Sequence, residues 1–350
     1  MSGTRPLARG TLTTTIRPGD FFGNYHIVRR LGKGGMGEVF LVDAPQPGVQ
    51  YAVKVLSPDV AGDEPDFVER FKREAEFSMR SRHPNLVEVY DAGLDPDTGL
   101  CYLVMEYMRG GSLREAINAH PRGLPVDTVA AVAAGVAEAL AFVESCGMVH
   151  RDVKPDNVLF DACGTAKLAD LGISRFARTT DDEARVTSAR DVVGTPAYMA
   201  PEQMLDSRTV DSRADLFSLG VMIWEMLAGR RPNSGESAMR AFAKAIEGVR
   251  FPDVRTVRGD TPDGLAALVA ALTMPNPAMR LSSARMAADL LASPERIKRV
   301  LPQAMLRGGA QRPASATPWY MDVSVVAAIA AMALAIFALA AAFVNTTGGK

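Results

Sequence analysis

The pattern of apolar residues changes at about Gly110, and this change constrains the fold more than any other feature of the chain. Before it, short runs rich in β-branched and aromatic residues alternate with glycine and proline, which indicates β-strands. After it, apolar residues recur at helical spacing in several long segments. A block of strands followed by a block of helices predicts an α+β fold with a β-rich small lobe and a helical large lobe.

Individual segments follow this division. The sequence between Tyr25 and Leu56 predicts an antiparallel meander, and "LVEVYDAG" and "LCYLVMEY" predict two more strands. Phe67, Phe71 and Phe77 lie near helical spacing and predict a helix between these two groups of strands. The helices predicted in the large lobe are "VDTVAAVAAGVAEALAFVESC", "ADLFSLGVMIWEMLAG", "SAMRAFAKAIEG" and "DGLAALVAALTM".

Size and charge limit the function classes. With 350 residues the chain has room for two globular units or for one large bilobed unit. It carries 39 basic and 40 acidic residues, so it has no basic surplus, and no nucleic-acid partner is expected. Its three widely spaced cysteines and four scattered histidines form no metal-ligand pattern, and the cysteines are typical of cytosolic thiols.

The two ends differ from the middle of the chain. Residues 1–20 are threonine-rich and basic without an apolar core, so we interpret them as a flexible arm and not as a secretory signal. Residues 323–344 form a run of 22 residues without a charge, long enough for a helix to cross a bilayer core of about 30 Å. The alternative is a buried core helix, since many of these residues are alanine. Trp319 and Tyr320 favour the transmembrane helix, because aromatic residues concentrate at membrane interfaces.

Basic residues predict the orientation of this span. Five of them precede it within residues 296–322, which read as a juxtamembrane linker, whereas only Lys350 follows it. By the positive-inside rule, residues 1 to about 320 lie in the cytoplasm, the span crosses the inner cell membrane once, and residues 345–350 form a short tail outside. Ala327, Ala331 and Ala335 lie four apart, which would let two spans pack as a homodimer, although an alanine-rich helix also produces such spacing by chance.

The segment "LGKGGMGEVF", Leu31 to Phe40, has Gly32, Gly34 and Gly37 in a G-x-G-x-x-G spacing. A dinucleotide-binding fingerprint would open a helix, but the residues after Gly37 are strand-like. A P-loop would need serine or threonine after a Gly-Lys pair, and here Gly34 follows the lysine. A glycine-rich β-hairpin fits better, because its bare backbone amides can approach phosphate oxygens closely.

Lys54 interrupts the apolar strand "YAVKVL", and two interpretations are open. An edge position would leave its ammonium group in solvent. An inward position would bring the ammonium group to the phosphates at the glycine-rich hairpin. Glu74 on the predicted helix would then be its ion-pair partner, with Glu76 less favoured, and exposed helix charge is the alternative for both glutamates.

The stretch "HRDVKPDN", His150 to Asn157, places two acids, a lysine and an asparagine close together. Taken alone it fits an exposed loop equally well, because Pro155 forbids helix continuation and aspartate and asparagine favour turns. The glycine-rich hairpin and Lys54 give it a second interpretation, as a catalytic loop.

These segments together resemble the eukaryotic-like serine/threonine protein kinases, and in particular their membrane-anchored bacterial members. The resemblance covers about Tyr25 to Leu291 and implies a bilobal protein kinase fold in residues 21–295, with an N-lobe of about 21–108 and a C-lobe of about 109–295. Leu171 replaces the usual phenylalanine after Asp170, an apolar exchange that leaves Asp170 intact, and the resemblance therefore implies nothing about inactive-state switching. The matching motifs are "GKGGMGEVF", "YAVK", "HRDVKPDN", "ADLG", "GTPAYMAPE", "DLFSLG" and "NPAMR".

The resemblance implies a role for each polar residue of the site. Asp152 would orient the substrate hydroxyl and accept its proton. Lys154 would contact the γ-phosphate, a placement typical of serine/threonine specificity. Asn157 and Asp170 would hold Mg²⁺, with Mn²⁺ as an alternative ion.

The resemblance also implies an ATP site between the lobes. Lys54 would hold the α- and β-phosphates and be steadied by Glu74. Met105 would be the gatekeeper and Met108 the hinge donor to adenine, while simple core packing is the alternative for both methionines. The implied ATP-contacting residues are Leu31, Gly32, Lys33, Gly34, Gly35, Met36, Gly37, Val39, Ala52, Lys54, Glu74, Met105, Glu106 and Met108.

Regulation by phosphorylation is a further implication of the resemblance. Arg151 precedes the predicted base, and a phosphate on the activation segment would pair with its guanidinium group. Thr187 is the predicted dominant phosphorylation site and Ser188 the next, while Thr195 would contact the catalytic loop. The alternative is a disordered loop that is phosphorylated incidentally.

The predicted function is a serine/threonine protein kinase that uses ATP to phosphorylate proteins, itself included, in membrane-associated signalling. A membrane-tethered pseudokinase scaffold and a phospho-dependent interaction module are the alternatives. A pseudokinase would lack a phosphate- or metal-binding residue, and each of those residues is present. The expected partners are ATP, protein substrates and the membrane.

Overall fold

Alternating apolar residues build a six-stranded antiparallel sheet in the first part of the chain. The computed structural model describes residues 16–35, 37–57, 67–96, 98–171, 196–205, 210–236 and 238–301. The order of the strands in the sheet is β1-β2-β3-β4-β6-β5, so the predicted meander of β2, β3 and β4 is confirmed. The strands are β1 (Phe21–Phe22), β2 (Tyr25–Gly34), β3 (Gly37–Asp43), β4 (Gln50–Leu56), β5 (Val89–Leu94) and β6 (Cys101–Glu106).

The helix predicted between the strands is present as α1 (Phe67–Arg80) and packs on this sheet. Phe67, Phe71 and Ala75 lie four residues apart on one face of the helix, where they are buried with Ala52 and Leu103 of the sheet. Phe77 packs instead against the core of the large lobe. The helix α1 therefore contacts both lobes.

Helices dominate the second part of the chain, as predicted. A small sheet accompanies them, in which β7 (Val158–Phe160) and β8 (Ala166–Leu168) pair antiparallel. The helices are α2 (Leu113–Ala119), α3 (Val126–Ser145), α4 (Pro201–Leu205), α5 (Arg213–Ala228), α6 (Ala238–Ile246), α7 (Asp263–Leu272), α8 (Ala284–Ala292) and α9 (Ile297–Val300).

The helix α5 is buried on every side from Ala214 to Ala228, which explains why its sequence is apolar all round and not on one stripe. Its glycine, Gly220, lies where α5 and α7 approach closely. A Cβ added there would be 2.7 Å from the Leu272 Cβ. Trp224 is fully buried and donates its indole hydrogen to the Pro252 carbonyl at 3.0 Å. The large lobe is therefore built around α5.

Among the described helices, α3 is the one whose length and apolar composition suit a membrane span. Half of its most apolar stretch is buried, and Val129, Val136 and Leu140 belong to the core of the large lobe. Core packing thus accounts for its composition. The predicted span at 323–344 and the first 15 residues of the predicted arm lie outside the described residues.

The connection between α1 and β5 is held by the large lobe. The Asn85 carbonyl accepts a hydrogen bond from the Leu168 amide at 2.8 Å, and the Val87 amide donates to the Leu168 carbonyl at 2.9 Å. The His83 ring stacks on Phe142 of α3 with the ring centroids 5.3 Å apart. These contacts tie the lobes together at a second place besides the chain crossing near Gly110.

The sequence patterns missed several short elements, among them α2, α4, α8 and the β7–β8 pair. For α2 a signal was present. The Ser112 hydroxyl accepts a hydrogen bond from the Glu115 amide, and the Glu115 carboxylate accepts one from the Ser112 amide. This capping box has the S-x-x-E spacing that predicts a helix start.

Candidate active site

The backbone beside Asp152 is held in an unfavourable conformation by hydrogen bonds from the large lobe. Arg151 has a φ of 68°, in the left-handed region that residues other than glycine rarely adopt. The Asp215 carboxylate accepts hydrogen bonds from the amides of His150 and Arg151, both at 2.7 Å. From the other side, the Gln203 side chain donates to the Arg151 carbonyl at 2.7 Å. These contacts fix the backbone before Asp152 and therefore the direction of the Asp152 side chain.

Asp215 lies in the first turn of α5 and is itself buried. Burial raises the pKa of its carboxyl group, while the interactions with His150 and Arg151 oppose that rise. A buried carboxylate that receives two backbone amides acts as an anchor, because neither oxygen can leave its donor without an unsatisfied buried charge.

The His150 imidazole joins the loop of Asp152 to the segment that ends in Asp170. Its Nδ1 accepts a hydrogen bond from the Asp152 amide at 3.3 Å, so Nε2 carries the proton and donates to the Ala169 carbonyl at 2.9 Å. The Ala169 amide in turn donates to the Asn157 carbonyl at 2.8 Å. The segments that carry Asp152, Asn157 and Asp170 therefore form one hydrogen-bonded unit.

The Asp152 carboxylate faces two donors and is mostly buried. Its Oδ2 accepts hydrogen bonds from Lys154 Nζ at 2.8 Å and from Asn157 Nδ2 at 2.9 Å. Both side-chain bonds converge on this one oxygen, and Oδ1 is left to accept a proton from a hydroxyl group. The structure thus brings together the predicted base, the predicted γ-phosphate lysine and one predicted metal ligand.

Asn157 and Asp170 offer two oxygen ligands that fit a divalent ion. The Asn157 amide nitrogen donates to the carbonyl of Asp152 at 2.8 Å as well as to its carboxylate, so its carbonyl oxygen is left for another partner. A carboxylate and an amide oxygen suit Mg²⁺, which proteins hold through one or two side chains together with substrate phosphates. In the described part of the chain no cluster of three or more acidic, histidine or cysteine side chains forms an ion site by itself.

Lys54 points inward, as one of its two sequence interpretations predicted. Its strand β4 pairs with β3 and β6, so it is an interior strand, and Lys54 is only 6% exposed. The ammonium group lies 2.8 Å from Asp170 Oδ2. Burial alone would raise the pKa of Asp170, but the charge and hydrogen bond of Lys54 together with the charges of His150 and Lys154 outweigh it, and the pKa lies below its ordinary value. The predicted pairing of Lys54 with Glu74 stays a prediction.

The glycine-rich segment forms the predicted hairpin between β2 and β3, with Gly34 opposite Gly37. Gly37 has a φ of 141°, and a Cβ there would lie 2.0 Å from the Val55 carbonyl oxygen, so glycine alone fits. Lys33 reaches Glu38 on the opposite strand at 2.9 Å, and this contact holds the pKa of the Glu38 carboxyl below its ordinary value.

The apolar residues predicted around adenine meet in one cluster between the lobes. Ala52, Met105 and Met108 are buried together with Leu103 and Ala169. Leu31, Val39 and Leu159 are partly buried and pack against this cluster.

Two sets of polar neighbours escaped sequence reasoning. Lys167 of β8 binds both carboxylate oxygens of Glu106, at 2.9 and 2.7 Å, and so joins the large lobe to the predicted adenine-binding residues. No local pattern marks this lysine, because its partner is in another lobe.

The second set surrounds Tyr198, just after the predicted activation segment. Glu225 of α5 accepts hydrogen bonds from the Tyr198 hydroxyl and from Arg114 of α2, the latter at 2.8 Å. Arg114 also reaches Asp156 in the catalytic loop at 3.4 Å. Burial and then the Glu225 carboxylate raise the pKa of Tyr198, so its hydroxyl stays protonated and donates. This network ties the loop to α2 and α5.

Four predicted residues fall outside the described ones. Met36 belongs to the glycine-rich sequence segment. Thr187, Ser188 and Thr195 belong to the predicted activation segment and its end. Their assigned roles stay predictions.

Comparison with known proteins agrees with this geometry. The family described as the protein kinase domain matches residues 25–294. The serine/threonine-protein kinase PknB of Mycobacterium leprae is 37% identical over 271 residues, covering 76% of this chain and 42% of that protein. The serine/threonine-protein kinase PrkC of Bacillus subtilis is 32% identical over 269 residues, covering 77% of this chain and 40% of that protein.

A solved structure shows the same likeness. The crystal structure of the Mycobacterium tuberculosis PknI kinase domain superposes with a TM-score of 0.59 at 30% identity, covering 80% of this chain and 100% of that one. The matches span 32% to 43% of the length of the curated relatives, so the chain corresponds to a part of those proteins.

Proposed function

Because this chain belongs to the protein kinase family, in its eukaryotic-like bacterial serine/threonine branch, we propose that it transfers the γ-phosphoryl group of ATP to serine and threonine hydroxyls of proteins. The observation that carries this proposal is the meeting of the Lys54–Asp170 ion pair with Asp152, Lys154 and Asn157. Phosphoryl transfer asks a protein mainly to position groups and to neutralise charge, and these five residues supply both.

In this proposal the acceptor hydroxyl gives its proton to Asp152 Oδ1. Lys154 and Asn157 hold the carboxylate through its other oxygen, so the accepting oxygen keeps its direction. Asn157 and Asp170 would hold Mg²⁺, or Mn²⁺ in its place, and the ion would neutralise phosphate charge during transfer. Lys154 would remain beside both Asp152 and the transferred group.

The small lobe would supply the nucleotide site. Lys54 would move from Asp170 toward the α- and β-phosphates, with Glu74 of α1 as its second partner. Support comes from the packing of α1 on the sheet that carries Lys54. The glycine-rich hairpin would cover the phosphates, and the cluster of Ala52, Met105 and Met108 would form apolar walls for adenine.

The test is phosphate transfer from labelled ATP to a protein acceptor by the purified full chain. We expect Asp152→Asn to lower the rate by about 10²- to 10⁴-fold, because asparagine cannot accept the proton. The matched control is Asp127→Asn at an exposed position in the first turn of α3, and it should transfer at a near-normal rate. Equal activity of wild type and Asp152→Asn would refute the assignment and favour the pseudokinase scaffold.

The membrane association is also a proposal. The uncharged run at 323–344 supports a single inner-membrane span, and the basic residues before it support a cytoplasmic kinase domain, with residues 345–350 outside. Alkaline washing of membranes should leave the full chain in the pellet and release a chain truncated at residue 310. Cross-linking in the membrane would test whether the span forms a homodimer.

Activation by phosphorylation of Thr187 is the last part of the proposal. The support is Arg151, whose backbone is fixed next to Asp152 and whose side chain is suited to bind a phosphate. Thr187→Ala should lose most of the transfer activity, whereas Ser188→Ala should not. Full activity of Thr187→Ala would rule this site out.

A further inference from the structure

A hydroxyl group on α1 reaches the segment that carries Asp170. Ser78 lies one helical turn after Glu74 and is only 6% exposed. Its Oγ donates a hydrogen bond at 3.2 Å to the carbonyl of Leu171, which is 93 residues away in sequence. This contact therefore joins α1 of the small lobe directly to the residue after Asp170.

The residue before Leu171, Asp170, has an unfavourable backbone conformation. Asp170 has a φ of 64°, in the left-handed region, and its carboxylate is paired with Lys54 at 2.8 Å. A strained residue persists only where its surroundings hold it. The His150 bond to Ala169 holds the residue before Asp170, and the Ser78 bond holds the residue after it.

Packing around Ser78 does not explain why a hydroxyl group is present there. A cavity of about 20 Å³ lies beside it, lined by apolar side chains such as Leu86, Met105 and Leu171 and also by Ser81 and Asp170. That volume is close to the size of one water molecule. A methyl group would fill part of it, so packing alone would favour a larger apolar residue. The hydrogen bond to Leu171 is what the hydroxyl provides.

A second serine, Ser81, directly follows α1 and shows the contrast. Ser81 is also buried, at 5% exposure, and lines the same cavity. Its hydroxyl donates to the Phe77 carbonyl in the last turn of α1 at 2.8 Å. The Ser81 bond is therefore local to the end of α1, whereas the Ser78 bond crosses to the large lobe.

We propose that Ser78 is a positioning residue for phosphoryl transfer, which acts through the Leu171 carbonyl to keep Asp170 in place relative to α1. The inference rests on the proposed kinase function, because Asp170 is there the ligand of the divalent ion.

The experiment uses the pair Ser78→Thr and Ser78→Val in the full chain. Threonine and valine have nearly the same shape and the same β-branching, and the cavity has room for the added methyl group. Threonine keeps the donor and valine removes it. The control is Ser81→Ala, which empties the same region without touching the bond between lobes. Asp152→Asn and wild type run in parallel, so that failure of the kinase assignment is seen separately.

Two readouts are needed, the kinetics of ATP-dependent transfer and the rise in melting temperature caused by ATP with Mg²⁺. We expect Ser78→Val to lose about tenfold in kcat/KM for ATP, the effect of one lost hydrogen bond, and to show a smaller thermal shift. Ser78→Thr and Ser81→Ala should stay within about twofold of wild type in both readouts.

Some outcomes would overturn the proposal while leaving the kinase function intact. One such outcome is equal transfer kinetics for the threonine and valine variants. The other is a valine variant whose lower activity is explained by a lower melting temperature of the protein alone, while ATP with Mg²⁺ still raises that temperature as much as in wild type. A wild type that transfers no phosphate would instead defeat the proposed function. Even then, a larger thermal shift for threonine than for valine would support the role of Ser78.

Discussion

Gln203 reaches the catalytic loop from α4, and its amide group is buried against the Arg151 carbonyl. This carbonyl belongs to the left-handed residue itself, whose amide donates to the Asp215 carboxylate, as the amide of His150 also does. The donor of Gln203 thus completes the support of the loop, one residue before Asp152.

We expect Gln203→Met to lower kcat by about tenfold with little change in the KM for ATP. Methionine keeps the volume but removes the donor, and one lost buried hydrogen bond corresponds to about 1–3 kcal/mol. Steady-state kinetics of phosphate transfer measure this. Gln46→Met, the same change at an exposed position, is the control. A rise in the KM for ATP at constant kcat would contradict a role of Gln203 in positioning Asp152 toward the acceptor hydroxyl group.

Single residues were predictable where the chemistry of a motif is local. Asp152, Lys154 and Asn157 lie within six positions, and their types and spacing pointed to one loop. Gln203 and Asp215 were not assigned, because what they do depends on a backbone carbonyl and two backbone amides, which no side-chain pattern reveals.

Among the elements, α5 shows how tightly the large lobe is packed. Every residue from Ala214 to Ala228 is buried, and Gly220 allows α7 to approach. A Cβ at Gly220 would stand 2.7 Å both from the Leu272 Cβ and from the Thr273 Cγ2, closer than such atoms normally come.

Gly220→Ala should therefore lower the free energy of unfolding by about 1–3 kcal/mol, the usual effect of overpacking a core. Alanine favours helix more than glycine does, but the gain of about 1 kcal/mol is smaller than the expected strain. Denaturant unfolding of the full chain measures the change. Gly259→Ala, where an added Cβ meets nothing within 4 Å, should leave stability nearly unchanged. A more stable Gly220→Ala would show that the two helices can move apart freely.

Long elements with a clear period were predicted well, and short ones were not. The helices α1, α3, α5, α6 and α7 came from apolar spacing over nine or more residues. The strands β7 and β8 have three residues each, too few to show a period, and they exist because each pairs with the other across a turn. For α2, the capping box of Ser112 and Glu115 is the local signal of its start.

For the molecule as a whole, the lobes meet at the connection between α1 and β5 as well as at the chain crossing. His83 lies in this connection, stacked on Phe142, and its Nδ1 accepts a hydrogen bond from the Asn85 amide at 3.2 Å. Burial lowers the pKa of His83 below 6.5, with Glu138 opposing this shift and Arg285 adding to it. The neutral ring is therefore the form that the folded protein favours.

This shift makes stability depend on pH. Above about pH 6.5 the His83 ring is neutral in both the folded and the unfolded state, and its full contribution to the free energy of unfolding is present. As the pH falls below that value the unfolded chain binds a proton first, so the free energy of unfolding decreases down to the lower pKa of the folded state. We expect the melting temperature to fall between pH 7.5 and 5.5 less steeply in His83→Gln than in wild type. If the melting temperatures of wild type and His83→Gln fell equally steeply with pH, His83 would not contribute to the pH dependence of stability.

The bilobal division was predictable from the change of composition near Gly110, but the way the lobes are joined was not. The bonds of Asn85 and Val87 to Leu168, and of Lys167 to Glu106, link residues that are far apart in sequence. These contacts form only in the packed fold, so no local pattern in a single sequence predicts them.

The anchoring of the catalytic loop by Asp215 has a consequence for protein synthesis. His150 leaves the ribosome 65 residues before Asp215 does, and the left-handed backbone at Arg151 depends on the Asp215 carboxylate. A nascent chain that ends before α5 therefore holds every side chain of the catalytic loop but cannot set its shape. We therefore expect the catalytic loop of a growing polypeptide to take its shape only after α5, the central helix of the large lobe, has been made and docked.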